Sequence, residues 1–178
     1  MTERIIIAGS GGQGVMLLGK VLAQAAMEEG KCVTWLPAYG PEVRGGTSHC
    51  MVTISDQEIG SPYINKADTL IILNNPSLKR FGTRLKDKGL LVSNSSLAKA
   101  GPDKRIKILQ FPFTDIAVEL GNIKVANMVA LGCYLREKEI IKIKKMLEVF
   151  RFMSPAGRND ILEVNERALQ EGAQLIDG

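Results

Sequence analysis

A chain of 178 residues, 45% hydrophobic and 24% charged, can bury roughly two-thirds of its unfolded surface without disulfide or metal staples, and this composition excludes a disordered or low-complexity protein. With 23 basic and 19 acidic residues the net charge is +4, which suits solubility or an acidic partner surface and falls short of a nucleic-acid footprint. Cys32, Cys50 and Cys133 show no C-x-x-C spacing, which excludes an ordinary zinc or iron–sulfur ligand set supplied by this chain alone and points to a reducing compartment.

Too few apolar residues follow Met1–Arg4 for a signal peptide, and no apolar run approaches the roughly 20 residues of a membrane span, so the expected location is the cytoplasm. The first strand is predicted over Arg4–Ala8, with Ile5-Ile6-Ile7 apolar enough for burial on both faces. A glycine turn follows, and then a helix over 15–29 with Val15, Leu18, Leu22, Ala25 and Ala26 on one face and Gly30 as its cap. A β-rich strand over 31–36 completes a Rossmann-like start. Prolines and glycines make 37–46 a loop. Residues 47–55 alternate, and a short partner near Glu58-Ile59 predicts an antiparallel hairpin within 47–60. Further strands are expected over 69–73, 89–93 and 106–111. Helices are expected from Pro76 to about Arg84 with Asn75 as cap, and over 114–119, 124–135, 141–150 and 161–176. No repeat or linker divides 1–178, so the expectation is a single α/β domain with an open, mostly parallel sheet flanked by helices.

Gly9-Ser10-Gly11-Gly12-Gln13-Gly14 sits between a strand and a helix, where glycines let backbone approach a phosphate and a helix N-terminus offers free N–H groups. Three readings stay open on these residues: a tight turn with close helix packing, an anion cradle, and a dinucleotide site. The last lacks the acidic residue that should follow the second strand to bind ribose hydroxyls, because Trp35-Leu36-Pro37 stand there. No Lys-Ser/Thr pair follows Gly14, so no phosphate-binding Walker sequence is present.

Tyr39-Gly40-Pro41-Glu42-Val43-Arg44-Gly45-Gly46 would emerge at the same sheet edge. It combines an aromatic ring, a carboxylate and a guanidinium able to make bidentate contacts, which favours recognition over a surface Glu42–Arg44 pair worth about 0–1 kcal/mol. His49, the sole histidine, is expected to be structural, and Cys50 a small buried side chain. Asn122 is expected to cap the following helix. Asn127 stands inside that helix, where asparagine is mildly unfavourable, and is expected to bond a neighbouring loop at the site edge. Lys138, Lys142, Lys144, Lys145 and Arg151 form a basic surface without interleaved aromatics, which suits a solvated helix face or an acidic subunit more than a nucleic acid.

The order Gly9–Gly14, Leu36–Ser55, Ile59–Pro62 and Gly121–Gly132 resembles the gamma subunit of 2-oxoacid:ferredoxin oxidoreductases. The Tyr-Gly-Pro-Glu-x-Arg-Gly-Gly-Thr form looks most like the 2-oxoglutarate branch, with the ketoisovalerate and indolepyruvate branches also close. The resemblance implies a complex that uses thiamine diphosphate with magnesium, coenzyme A and iron–sulfur clusters to make an acyl-CoA. It implies alpha, beta and ferredoxin-like partner subunits, with ferredoxin as acceptor. It further implies that this chain binds no cofactor by itself and carries no catalytic residue. Gly9, Gly11, Gly12, Gln13 and Gly14 would then face an anion or the coenzyme A side. Tyr39, Gly40, Pro41, Glu42, Arg44, Gly45, Gly46, Asn122 and Asn127 would form a partner or site edge. A stand-alone nucleotide-binding module and a purely structural assembly protein are the competing readings.

Overall fold

A computed structural model describes residues 1–38, 47–153 and 159–177. Its strands are β1 (Thr2–Ser10), β2 (Cys32–Ala38), β3 (Thr47–Ser55), β4 (Ala67–Ile72), β5 (Leu85–Asn94) and β6 (Lys107–Phe111). Its helices are α1 (Val15–Glu28), α2 (Asn75–Phe81), α3 (Phe113–Glu119), α4 (Ala126–Lys138), α5 (Ile143–Met153) and α6 (Asn159–Gln174), with short 3-10 turns at Gly82–Arg84 and Ile123–Val125. They build one α/β sheet in the order β2-β3-β1-β4-β5-β6. β1, β4, β5 and β6 run parallel to one another, while β3 is antiparallel to both β1 and β2.

The position of β3 changes two expectations. Residues 47–55 do run antiparallel, but their partner is not Glu58-Ile59. β3 pairs with all of β1, from Thr2 opposite Ser55 to Ser10 opposite Thr47, and with all of β2 on its other side. A two-residue partner would leave most of the backbone groups along the edge of β1 unpaired, whereas a nine-residue strand pairs the whole edge. The Rossmann-like start is present as strand, turn and helix. Its second strand, however, lies two positions from the first, about 9–10 Å away at ordinary strand spacing.

Alternation along the strands sends side chains to two unequal cores. Ile5, Ile7, Ile71, Val92, Cys50, Val52 and Ile54 face α1 and α4, together with α3, α5 and α6. Ile6, Leu70, Ile72 and Leu91 face the opposite way, where Leu78 and Phe81 of α2 and Ile64 of the 56–66 connection cover them. A one-residue slip of register would exchange these sets, so each strand's place is firmly specified. α1 ends where Gly30, at φ 77°, donates to the Met27 carbonyl and Lys31 donates to that of Ala26, the Schellman arrangement that favours glycine.

Several boundaries shift for local reasons. The side chain of Asn74, not Asn75, caps α2 by accepting from the Ser77 N–H at 2.9 Å. α2 stops at Phe81 because the 3-10 turn takes over, and β5 begins at Leu85, earlier than its apolar centre. On the edge away from the glycine loop, Glu3 is buried. It accepts a hydrogen bond from Thr69 Oγ1 at 2.6 Å and lies 3.0 Å from Lys138 Nζ, which ties β1 and β4 to α4.

α4 and α6 touch backbone to backbone. A side chain on Gly132 would overlap the Leu169 carbonyl, and one on Gly172 would overlap the Val129 carbonyl. Neither carbonyl can rotate away without unwinding its helix. Gly132→Ala and Gly172→Ala are therefore each expected to cost about 1–3 kcal/mol, as overpacking does. Urea unfolding of the purified chain measures this, and unchanged midpoints for both variants would show that the helices separate freely.

Candidate functional site

The parallel strands β1, β4, β5 and β6 all end at one edge. α1 leaves β1 on one face and α2 leaves β4 on the other, so the crevice between these strand ends is the topological switch point at which open α/β sheets take ligands. Thr47 pairs with Ser10, and Ala38 with His49, so the chain leaves and re-enters the sheet at this same edge on either side of 39–46. Tyr39, Gly40, Pro41, Glu42, Arg44, Gly45 and Gly46 lie outside the described residues.

The glycine loop is built around an inward-turned glutamine. Gln13 Oε1 accepts from the Ser10 N–H at 2.7 Å, and its Nε2 donates to the Leu73 carbonyl at 3.3 Å. A Cβ on Gly9 would lie 2.7 Å from that Oε1 and 3.1 Å from Leu73 Cβ, so the missing side chain makes room for the amide. Gly14 holds φ 70°. A side chain there would also overlap the Asn127 amide, whose Nδ2 donates to the Gly14 carbonyl at 3.2 Å. Asn127 is therefore buried against the loop, where it bridges the start of α4 to the start of α1. Gly11 and Gly12 remain exposed at the tip.

Neighbouring strand ends supply residues that a reading of the sequence passes over. Asn74 donates to Ser10 Oγ, and Ser77 Oγ donates to the Gly9 carbonyl at 3.3 Å. Asn94, fully buried, donates to the Leu73 carbonyl at 3.2 Å and to Thr114 Oγ1 at 2.8 Å, and its Oδ1 accepts from the Thr114 N–H. Asn122 caps the Ile123–Val125 turn by accepting from the Lys124 N–H at 3.1 Å. These elements enclose a cleft of about 180 Å³ beside Gly12 and Gln13, with Leu73, Leu97, Ile123 and Lys124 in its lining. An asparagine directly after an apolar strand is the signal for Asn74 and Asn94, since both stand where a parallel strand reaches this edge.

The cleft's side chains are amides, hydroxyls and aliphatic groups with one lysine, and its amides are engaged within the chain. Among the described residues its lining has no carboxylate, imidazole or thiol to act as acid, base or nucleophile. Among the described residues no group of three or more His, Cys, Asp or Glu is gathered as metal ligands. His49 packs against Phe81, with ring centroids 4.7 Å apart. Burial, and then the charges of Arg80 and Arg84, lower its pKa, which leaves a neutral ring on a strand. Cys50 Sγ donates to the Val15 carbonyl, and burial pushes its pKa up to about 12, so it is no nucleophile.

The basic surface expected from residues 138–151 is largely neutralised within the chain. Lys138 pairs with Glu3, Lys145 with Glu28 and Glu148, and Arg151 with Glu166. Apart from Glu148, three residues along α5 from Lys145, these partners come from other elements, which the local charge run does not reveal. Among the described residues no helix is long and apolar enough to cross a membrane.

The family described as pyruvate ferredoxin/flavodoxin oxidoreductase matches residues 4–175. The ketoisovalerate oxidoreductase subunit VorA of Methanothermobacter thermautotrophicus is 39% identical over 96% of this chain. The alignment covers 36% of that relative, so this chain spans about a third of its length. The 2-oxoglutarate synthase subunit KorC of Methanothermobacter marburgensis is 34% identical over 99% of this chain and 97% of its own length. Among solved structures, the gamma subunit of a keto/oxoacid ferredoxin oxidoreductase from Geobacter sulfurreducens superposes with a TM-score of 0.83 at 29% identity, covering 97% of each chain. The 2-oxoglutarate:ferredoxin oxidoreductase of Magnetococcus marinus shares the fold at a TM-score of 0.90 and 22% identity, over 99% of this chain and 31% of that one.

The Gly14–Asn127 contact makes a quantitative prediction. Gly14→Ala is expected to cost about 1–3 kcal/mol, the usual penalty for a side chain at positive φ, increased by the overlap with Asn127. Asn127→Ala removes the overlap but also removes one of the two donors to the Gly14 carbonyl, leaving the Leu18 N–H at 2.9 Å. A double-mutant cycle read by chemical denaturation is expected to be non-additive, with the double variant more stable than the sum of the singles implies. Strict additivity would show that the two residues do not touch in solution.

Proposed function

The chain belongs to the pyruvate ferredoxin/flavodoxin oxidoreductase family, and from that premise we propose that it is the gamma subunit of a thiamine diphosphate-dependent 2-oxoacid:ferredoxin oxidoreductase. The assembled enzyme converts a 2-oxoacid, coenzyme A and an oxidised acceptor into an acyl-CoA, carbon dioxide and a reduced acceptor. Its partners are alpha and beta subunits and a ferredoxin-like subunit, with ferredoxin as acceptor, and its place is the cytoplasm. The observation that carries this reading is the family match over residues 4–175 joined to an end-to-end likeness to a gamma subunit.

The described residues of this chain do not fit thiamine diphosphate or a cluster. Among them the cleft lining offers no carboxylate to hold a magnesium ion, and its amides already bond the loop and strand ends. The three cysteines are free and apart from any ligand set among the described residues. In the proposed complex the reacting groups therefore come from other subunits. This chain contributes a rigid wall. The exposed tip at Gly11 and Gly12, the Tyr39–Gly46 loop, Asn122 and the lysine-bearing rim at Lys124 face a partner or the coenzyme A side of a shared site. Gly9, Gln13, Gly14 and Asn127 hold that wall in shape.

The 2-oxoacid we favour is 2-oxoglutarate, giving succinyl-CoA. Support comes from the Tyr-Gly-Pro-Glu-x-Arg-Gly-Gly-Thr sequence and from the KorC relatives. A second reading, ketoisovalerate, has the support of the 39% identity to the VorA subunit.

Reconstitution tests the proposal. Coenzyme A-dependent acceptor reduction is measured with 2-oxoglutarate and with ketoisovalerate, using the other subunits with and without this chain. No turnover is expected from the chain alone. Omitting it is expected to lower the rate of the other subunits by at least about tenfold, and adding it back is expected to restore the rate. Full activity without the chain, or turnover by the chain alone, would refute the proposal.

A further inference from the structure

The charge of this chain is unevenly placed. Among the described residues, three segments cover the sheet face that carries α2: the 56–66 connection, α2 with its 3-10 turn over 75–84, and the 95–106 connection, which bring Ile64, Phe81 and Ala98 onto that core. Together they hold seven basic residues, Lys66, Lys79, Arg80, Arg84, Lys99, Lys104 and Arg105, against three acidic ones, Asp56, Glu58 and Asp103. The rest of the chain holds sixteen of each, so the whole net charge of +4 sits on these three segments. Two of their acids are already held, Asp56 by Lys31 at 2.7 Å and Asp103 by Arg105 at 2.8 Å.

The cations form one continuous surface. Lys66 donates to the Thr83 carbonyl at 2.8 Å, and Thr83, Lys79, Lys99 and Asp103 line one shallow depression. The guanidinium of Arg80 stands 5.3 Å from the Phe81 ring centroid, and that of Arg84 stands 5.8 Å from it and 5.3 Å from the Tyr63 ring. Arg80 donates to Thr47 Oγ1, and Arg84 donates to the carbonyls of Ile64 and Asn65. These acceptors are neutral, so the bonds fix the side chains without cancelling their charge. On the helix-rich face, by contrast, Lys138, Lys145 and Arg151 meet carboxylates. Arg84 is half-buried and the other six cations are exposed, while the Tyr63 ring beside them is 60% exposed.

We propose that this face docks an acidic surface of another subunit of the assembly, steered by Lys79, Arg80, Lys99 and Lys104 and seated on Tyr63. A surface of one sign speeds the encounter with a partner of the other sign and holds off wrong ones. Arginine and tyrosine are enriched where protein interfaces close, and rim lysines mainly set the rate of encounter. Cations spread over three segments suit a protein surface, since a small anion needs donors that converge on one point. A single exposed ring gives nucleic-acid bases no stacking platform. Docking here rests on the multi-subunit reading above but lies across the sheet from the cleft.

The test follows the full chain as it binds the other subunits, by biosensor association kinetics at several ionic strengths. The triple reversal Lys79→Glu, Lys99→Glu, Lys104→Glu is expected to slow association at least about tenfold at low salt, with the difference shrinking as salt screens the field. A control triple on the helix-rich face, Lys20→Glu, Lys142→Glu, Lys144→Glu, changes the net charge equally and is expected to alter the rate by less than about threefold. The neutral triple Lys79→Gln, Lys99→Gln, Lys104→Gln adds no repulsion and is expected to slow association about threefold, and thermal melts by circular dichroism check that each variant keeps the fold. Equal slowing by both reversals assigns the effect to net charge alone, and no slowing by the first leaves the face without this partner; either result overturns the proposal. Nucleic acid that co-purifies with the chain and is lost in the first triple, with subunit association unchanged, overturns it too. Failure of the unmodified chain to bind the other subunits at all refutes the multi-subunit reading itself, so the two failures are distinguishable.

Discussion

The carboxyl edge of the sheet depends on two side chains being absent. At Gly9 the missing Cβ admits the Gln13 amide, and at Gly14 it admits the Asn127 amide. Three regions distant in sequence meet there: the turn from β1 into α1, the end of β4 and the start of α4. Each hydrogen bond contributes only about 0.5–1.5 kcal/mol net, but a buried amide left unpaired costs about 1–3 kcal/mol. The arrangement therefore behaves as a unit, in which one enlarged side chain displaces an amide and breaks the bonds it makes to the Ser10 N–H or to the Gly14 carbonyl.

The direction of those amides decides what the edge does. A loop that reads a bound nucleotide with its side chains would turn their donors outward. Here Gln13, Asn74, Asn94 and Asn127 all point their donors at this chain's own carbonyls and hydroxyls. What faces outward is a glycine tip, exposed aliphatic groups at Leu97 and Ile123, and Lys124. Such a surface suits contact with another protein or with one end of a shared substrate. The insertion of β3 reinforces this, because it moves the end of β2 away from the loop where a dinucleotide's ribose would need it.

Much of this was legible in the residues themselves. The triple isoleucine run, the spacing of Val15, Leu18 and Leu22 and the cap at Gly30 locate β1 and α1 because burial and capping are local demands. Asn127 was legible because asparagine inside a helix needs a reason to be there, and the Gly14 carbonyl provides one. The place of β3 was not, since an alternating strand pairs equally well with any open edge until the whole sheet is laid out. The roles of Asn74 and Asn94 were not legible, because their partners, Ser10 and Thr114, lie 64 and 20 residues away. The pairing within the basic run at 138–151 was hidden for the same reason: Glu3, which pairs with Lys138, is 135 residues distant.

The inward engagement of the loop amides is tested most directly by calorimetric titration of NAD and of coenzyme A into the isolated chain. No saturable heat is expected from either ligand, because the loop's side-chain amides are bonded within the fold and the end of β2, where a ribose would be read, lies a strand away from the loop. Saturable binding of either ligand in the micromolar range would contradict this and return the glycine loop to the role of an independent cofactor site.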